Sequence, residues 1–149
     1  MNIFFDVDYT IVGGADGTLR PGVSEIFQRL TQEGHNIYVW SGVGIRTYEI
    51  QKHNLNLYVS GVFEKPLANF EAKIRASGIP VYPDLVVDDY PEIVTTLGGI
   101  QVRPYSFALA HDKEMERVYN IIADYVQNGH SDDSAFRLPS PTTNPPGAS

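Results

Sequence analysis

Residues 2–10 read NIFFDVDYT, and this stretch sets both the expected fold and the expected site. The apolar run at residues 3–5 has no polar alternation, which is typical of a strand buried on both faces of a parallel sheet. The run stops at Asp6, so Asp6 and Asp8 are expected at the carboxyl end of the strand, where open α/β sheets bind ligands. Two carboxylates at this spacing suit a divalent cation and phosphoryl chemistry, in which one attacks and the other moves a proton.

The sequence DVDYT after an N-terminal apolar strand resembles the first motif, DxDxT, of the haloacid dehalogenase-like superfamily. In phosphatases of that family the first aspartate is the nucleophile and the second is the general acid and base. The resemblance therefore implies these roles for Asp6 and Asp8. Nearby aspartates are also common in solvated turns and helix caps, so the remaining strand ends have to decide between the two interpretations.

Composition places the chain among ordinary globular proteins of one domain. It has 149 residues, a formal net charge of -7 and no cysteine. The acidic balance lacks the basic face that nucleic acids require, so no nucleic-acid partner is expected. The missing cysteines exclude disulfides, thiolate metal sites and cysteine nucleophiles. No apolar run reaches the ~18 residues of a membrane helix and no signal-peptide pattern opens the chain, so a cytoplasmic protein without a membrane partner is expected.

Helical and strand-like apolar patterns alternate after residue 10. Helices are predicted at 21–32, 44–53, around 67–74, 91–97 and 112–126, and strands at 36–40, 57–63, 85–87 and 100–102. This alternation predicts an α/β fold, a three-layer Rossmann-like sandwich with a mainly parallel central sheet. The glycine-rich residues 11–20 have room only for a mobile hairpin flap, so no separate cap domain is expected.

Polar residues follow the second and third predicted strands, in the order of the family's next two motifs. Ser41 and Gly42 read as a turn or helix cap by themselves, whereas the resemblance implies that Ser41 and nearby backbone amides bind phosphoryl oxygens. Lys65 stands between a strand and Pro66, which is expected just inside a helix. It resembles the family's lysine that balances the charge of nucleophile and phosphoryl group. Lys73 is the competitor, but its angular position favours the flank of its helix.

Asp88 and Asp89 follow the fourth predicted strand, just as Asp6 and Asp8 follow the first. Adjacent acids commonly cap a helix, but two strands that end in paired acids indicate a hard-cation site built from oxygen ligands. The resemblance implies Mg²⁺ held by Asp6, the backbone carbonyl of Asp8, and Asp89, with Asp88 in support or directed toward the lysine. The order of Asp88 and Asp89 stays open.

Two further segments receive simple interpretations. Arg46 lies near the start of the second predicted helix, and a solvated arginine is preferred to one that touches a substrate anion. Residues 129–149 are rich in proline and serine and poor in apolar residues, which predicts a domain at 1–128 followed by a disordered tail.

These expectations together imply a Mg²⁺-dependent phosphomonoester hydrolase that forms an aspartyl phosphate on Asp6 and acts on a small phosphorylated metabolite. Two alternatives stay open: a phosphatase for a macromolecular substrate, and a catalytically weak or inactive binding module that uses the tail to hold a partner. Without a cap, the site of a monomer is expected to be open to solvent, or to be covered by a neighbour in a homo-oligomer.

Overall fold

The computed structural model describes residues 1–139, over which the chain forms six strands and five helices. The strands are β1 (Asn2–Asp6), β2 (Asn36–Ser41), β3 (Val59–Glu64), β4 (Leu85–Asp88), β5 (Gly99–Gln101) and β6 (Phe136–Arg137). The helices are α1 (Val23–Gln32), α2 (Thr47–Lys52), α3 (Phe70–Ala76), α4 (Pro91–Leu97) and α5 (Glu114–Asn128).

The strands form one sheet in the order β3-β2-β1-β4-β5-β6. The first five run parallel, and β6 pairs antiparallel with β5. The predicted α/β class with a mainly parallel sheet is confirmed, and the arrangement is compatible with a Rossmann-like fold. Because β1 lies between β2 and β4, the residues that follow these three strands meet at one edge of the sheet.

The apolar run of β1 supplies two cores, one on each face of the sheet. Ile3 and Phe5 pack in the core shared with α1, α2 and α5, whereas Phe4 packs in the core shared with α3 and α4. All three side chains are fully buried. Since successive side chains of a strand point to opposite faces, a continuous apolar run requires helices on both sides. This burial makes β1 a rigid support for Asp6.

Two helices are shorter than the sequence pattern predicts. Helix α2 begins at Thr47 rather than at Gly44, whose φ of 128° is incompatible with a helix. Helix α3 begins at Phe70, so Pro66 lies in a connecting segment and not inside a helix. Asn69 directly before α3 has a φ of 50°, a left-handed conformation that prevents the helix from extending toward Pro66.

The glycine-rich segment after Thr10 forms a short hairpin, as predicted. Val12 pairs antiparallel with Leu19, and the amides of Gly13 and Arg20 donate to the carbonyls of Thr18 and Ile11, both at 2.8 Å. The backbone amides of residues 14–15 donate hydrogen bonds of 3.0 and 2.7 Å to carbonyls of residues 105–106. The hairpin is therefore tied to the segment that follows β5.

The chain after α5 also differs from the prediction. Gly129 ends α5 with a φ of 70°, and β6 then returns to the sheet with Phe136 opposite Ile100. The Phe136 ring packs at 5.4 Å from the ring of Tyr125 and is buried. A disordered tail from residue 129 is therefore wrong as far as residue 139, because Ala135 and Phe136 are buried in the core and Asp133 pairs with Arg117 of α5 at 2.6 Å. Residues 140–149 of the predicted tail lie outside the described residues.

Within residues 1–139 no separate cap domain interrupts the fold. Residues 11–20 hold the short hairpin, and the connection between β3 and β4 holds α3. In the same range no helix combines the length and the apolar character needed to cross a membrane.

Candidate active site

The candidate site lies where β1, β2, β3 and β4 end. Asp6 is the last residue of β1, Ser41 the last of β2 and Asp88 the last of β4, and Lys65 directly follows β3. Parallel pairing in register aligns these ends, with Ser41 opposite Glu64 of β3. The sheet therefore brings together residues that are far apart in the sequence.

Lys65 contacts one acid of each pair. Its Nζ donates hydrogen bonds of 2.9 Å to Asp6 Oδ1 and 2.9 Å to Asp88 Oδ2. The Asp88 side chain is fully buried, and those of Asp6 and Lys65 are nearly so. Burying charges is costly unless they are paired, so this network is a requirement of the fold as well as a feature of the site.

The electrostatics of this network disfavour the ionised forms of its two buried acids. Burial raises the pKa of Asp6 to about 8, with Asp88 acting in the same direction and Lys65 opposing both. Burial also raises the pKa of Asp88 against the influence of Lys65. Burial alone lowers the pKa of Lys65, but the charges of Asp6 and Asp88 outweigh it, so that the pKa is raised. One ammonium does not fully offset these carboxyl groups, and a further cation would favour their ionised forms.

Asp6, Asp88 and Asp89 form a set of oxygen ligands that fits a hard cation. One carboxylate oxygen from each lies within 4.8 Å of the others. Such all-oxygen sets suit Mg²⁺ or Ca²⁺. Both Asp88 oxygens are already engaged, at 2.9 Å by Lys65 and at 2.9 Å by the backbone amide of Tyr90. Asp89 has a longer contact, 3.4 Å from Thr10 Oγ1, which leaves its carboxylate the freer of the pair.

Thr10 and Arg20 hold the site in place through hydrogen bonds, and no role was predicted for either from the sequence. The buried Thr10 hydroxyl lies 3.1 Å from Asp6 Oδ2 and can donate to it. Arg20 Nη1 donates to the Thr10 carbonyl at 3.2 Å, while its Nε and Nη2 hold both oxygens of Asp112 at 2.8 and 2.9 Å. The threonine of DxDxT was a visible signal, whereas nothing local in the sequence pairs Arg20 with Asp112.

Asp8 is not among the three clustered acids and is paired with Arg46. Arg46 Nη1 lies 2.5 Å from Asp8 Oδ2, and Nη2 lies 3.0 Å from Oδ1. The same guanidinium reaches Ser41 Oγ at 3.3 Å and Glu49 Oε1 at 3.0 Å. Only 16% of the Arg46 side chain is exposed, so the interpretation of Arg46 as a solvated arginine is wrong. The hydrogen bonds to Asp8 raise the pKa of Arg46 beyond its usual range.

Gly42, which directly follows Ser41, borders a cavity beside Lys65. The Ser41 hydroxyl accepts hydrogen bonds from the Val43 amide and from Arg46, both at 3.3 Å, so its proton can be donated to a phosphoryl oxygen. The cavity has a volume of about 470 Å³, and Gly42, Lys65 and Leu67 are among its lining residues. A Cβ on Gly42 would lie 2.4 Å from Leu67 Cδ2, so a side chain at residue 42 would displace Leu67.

A second cavity, of about 360 Å³, opens directly beside Lys65, Asp88 and Asp89. The segments that follow β1 to β5 expose large apolar side chains, of which Leu67 and Tyr90 line the second cavity. These are Tyr9, Val43, Ile45, Tyr48, Leu67, Tyr90, Phe107 and Leu109, which we call the apolar rim. Exposed apolar groups concentrated at one edge are typical of surfaces that bind ligands or partners.

Comparisons with known proteins add no further support, because no protein-family model matches the sequence and neither a curated protein nor a solved structure matches it significantly. The geometry of the site and the resemblance of its motifs are the observations that point to a function.

Proposed function

We propose that this protein is a phosphomonoester hydrolase of the haloacid dehalogenase-like type that requires Mg²⁺ and uses Asp6 as its nucleophile. The observation that carries the proposal is the grouping of Asp6, Lys65, Asp88 and Asp89 at the carboxyl end of the sheet, with Asp8 two residues beyond the nucleophile. The order of these residues along the chain is the order of the family motifs.

In the first step a carboxylate oxygen of Asp6 attacks phosphorus. The phosphorus–oxygen bond to the leaving group breaks, the electron pair stays on the leaving oxygen, and Asp8 protonates that oxygen. Lys65 and Thr10 orient the Asp6 carboxylate from its two oxygens. Ser41, with the backbone at Gly42 and the Lys65 ammonium, binds the oxygens of the phosphoryl group.

In the second step Asp8 takes a proton from water, and the resulting hydroxide attacks the phosphorus of the aspartyl phosphate. The bond between phosphorus and Asp6 breaks, which releases inorganic phosphate and restores both carboxyl groups. Asp6, Asp89, the backbone carbonyl of Asp8, and Asp88 in support are the groups that would hold Mg²⁺. When bound, Mg²⁺ offsets the charge of the carboxylates and the phosphoryl group, so that two anions can approach.

A small phosphorylated metabolite is the substrate class we favour. A cavity of about 360 Å³ is lined by Asp88 and Asp89, a second of about 470 Å³ lies beside Lys65, and both have the size of small-molecule sites. The apolar rim favours a second candidate, a phosphorylated protein segment that docks on it.

The test is phosphate release from p-nitrophenyl phosphate, a panel of phosphorylated metabolites and a phosphopeptide, each with Mg²⁺. We expect turnover by the wild-type chain and none above background for Asp6→Asn, since an amide nearly matches a carboxylate in shape but is not a nucleophile. Mass spectrometry of the quenched wild-type enzyme should find one added phosphoryl group on Asp6. Full activity of a verified Asp6→Asn preparation would refute the mechanism, and a protein that binds Mg²⁺ but hydrolyses none of these esters would be the binding module instead.

A further inference from the structure

The contact between Asp8 and Arg46 has no part in the two steps above, although it holds one of the acting groups. The guanidinium spans both oxygens of the Asp8 carboxylate, at 2.5 and 3.0 Å. A two-point contact of this kind fixes the plane of a carboxylate as well as its position. The Asp8 side chain is 36% exposed, so few packing contacts are left to orient it.

Arg46 is itself held in place. Glu49 Oε1 accepts from Nη2 at 3.0 Å from the first turn of α2, and Ser41 Oγ accepts from Nη1 at 3.3 Å from the end of β2. The side chain is largely buried. The guanidinium therefore connects Asp8 to Ser41, the residue proposed to bind the phosphoryl group. Through this contact the end of β2 helps to fix where the Asp8 carboxylate lies.

We propose that Arg46 is the positioning residue for Asp8, which it aims at the leaving-group oxygen. The proposal rests on the phosphatase function proposed above. For this proton transfer Asp8 carries a proton on one oxygen, within hydrogen-bond reach of the reacting oxygen, while its other oxygen still accepts from Arg46. General acid–base catalysis contributes about 10² to 10⁴-fold to rate when that geometry is met. Without the arginine, an exposed aspartate would divide its time among several rotamers, and much of that factor would be lost.

The competing role for Arg46 is direct binding of a substrate anion. The two roles predict different kinetics. A positioning residue acts only through Asp8, so its replacement should slow most the esters whose leaving group needs a proton. It should cause no further slowing once Asp8 has been replaced by asparagine. A substrate-binding residue should raise KM for all esters alike, whatever stands at residue 8.

The experiment measures release of the leaving group in the first turnover, by rapid quench with saturating ester and Mg²⁺, for the full chain and for Arg46→Gln. Two esters are compared: p-nitrophenyl phosphate, whose leaving group departs readily as an anion, and a simple alkyl phosphate, whose leaving group needs protonation. We expect Arg46→Gln to slow the alkyl ester at least about 30-fold and the aryl ester less than about 5-fold, since proton transfer supplies the difference.

The same variant is then combined with Asp8→Asn. If Arg46 acts through Asp8, Arg46→Gln should slow the alkyl ester by less than about 3-fold in the Asp8→Asn background, since coupled residues are not additive. Arg46→Lys keeps the charge but not the two-point contact, and we expect an intermediate rate. The matched control is Arg29→Gln, the same change at an arginine of α1 that lies 3.8 Å over the Tyr119 ring, and its rates should equal those of the wild type. Melting temperatures verify that each variant is folded.

Equal slowing of both esters, additive effects with Asp8→Asn, or a rise in KM alone would each overturn the positioning role, and the last would assign substrate binding to Arg46. Wild-type kinetics in Arg46→Gln would overturn it as well and leave the phosphatase proposal untouched. A wild-type chain that forms no phosphoenzyme with either ester would instead overturn the proposed function, and the role of Arg46 with it.

Discussion

At the scale of single residues, Lys65 is central to the site, because its ammonium is shared by two buried carboxyl groups. It lies between Asp6 and Asp88, at 2.9 Å from each. In the proposed mechanism, the ammonium that permits burial of these acids would also contact a phosphoryl oxygen.

Replacement of Lys65 by methionine should therefore destabilise the fold. The change keeps most of the apolar stem but leaves Asp6 and Asp88 buried without their partner, and breaking a buried ion pair in this way costs about 3 to 5 kcal/mol. We expect the free energy of unfolding, measured by urea denaturation, to fall by about 3 kcal/mol. Lys73→Met on α3 is the control, since this exposed lysine should change stability by less than about 0.5 kcal/mol. Equal effects of the two substitutions would show that Lys65 is not the compensating charge.

The cation site gives a second prediction at this scale. Chelation with EDTA should abolish turnover and Mg²⁺ should restore it, whereas Ca²⁺ should substitute poorly because it prefers more ligands at longer distances. Mg²⁺ should also raise the melting temperature, because a ligand that binds only the native state stabilises it.

Asp89→Asn should remove most of the Mg²⁺-dependent increase in melting temperature. It should leave the metal-free protein nearly as stable as the wild type, since the contact of Asp89 with Thr10 is long, at 3.4 Å, and an amide can still hydrogen-bond to Asp6. Asp84→Asn is the matched control, because Asp84 accepts a hydrogen bond from the Asn2 amide before β4, outside the acid cluster. Turnover that survives exhaustive chelation, or equal shifts in all three proteins, would exclude the metal role.

At the scale of elements, the short strand β6 has an effect larger than its length suggests. It covers the free edge of β5 and buries Phe136 against α5. An unprotected edge strand offers unpaired backbone groups to other chains, so this strand also protects the sheet from wrong pairing.

Substitution of Phe136 by alanine should lower the free energy of unfolding by about 3 kcal/mol, the lower end for a buried phenylalanine. Leu138→Ala, two residues further along and 53% exposed, should change it little.

Deletion of residues 131–149 should lower the melting temperature, contrary to what a disordered tail from residue 129 would imply, while truncation after residue 139 removes none of the described contacts. An unchanged melting temperature in Phe136→Ala would mean that β6 does not stabilise the domain.

At the scale of the whole molecule, the site edge is open and is bordered by the apolar rim, and no cap covers it within residues 1–139. Apolar surface of this kind favours either a bound substrate or a neighbouring subunit. We expect small phosphomonoesters to be turned over with a higher kcat/KM than a phosphopeptide, with the residue 11–20 loop as a partial lid. Light scattering on the same preparations should report a mass above that of the 16.6 kDa chain if a neighbour completes the site.

A strict monomer that ignores every small phosphomonoester but dephosphorylates a protein would contradict the metabolite preference. The chemistry assigned to Asp6 and Asp8 would stand, and the apolar rim would then be the docking surface for that protein.

Much of the candidate site could be predicted from the sequence by itself. The apolar run of β1 and the alternation of elements predicted a parallel α/β sheet, and the carboxyl ends of parallel strands share one edge. Polar residues at successive strand ends were therefore expected to converge on that edge, and Asp6, Ser41, Lys65 and Asp88 do lie together. This inference works because strand direction and side-chain alternation are local properties of the chain.

Only the tertiary structure decided which charged side chains pair across that edge. Arg46 and Asp8 are 38 positions apart, and no local pattern distinguishes a paired arginine from a solvated one. The same holds for Arg20 with Asp112 and for the docking of Phe136 on β5. These contacts depend on the order of the strands in the sheet and on how deeply each side chain is buried. Both result from packing the whole chain, so no short segment of the sequence determines them.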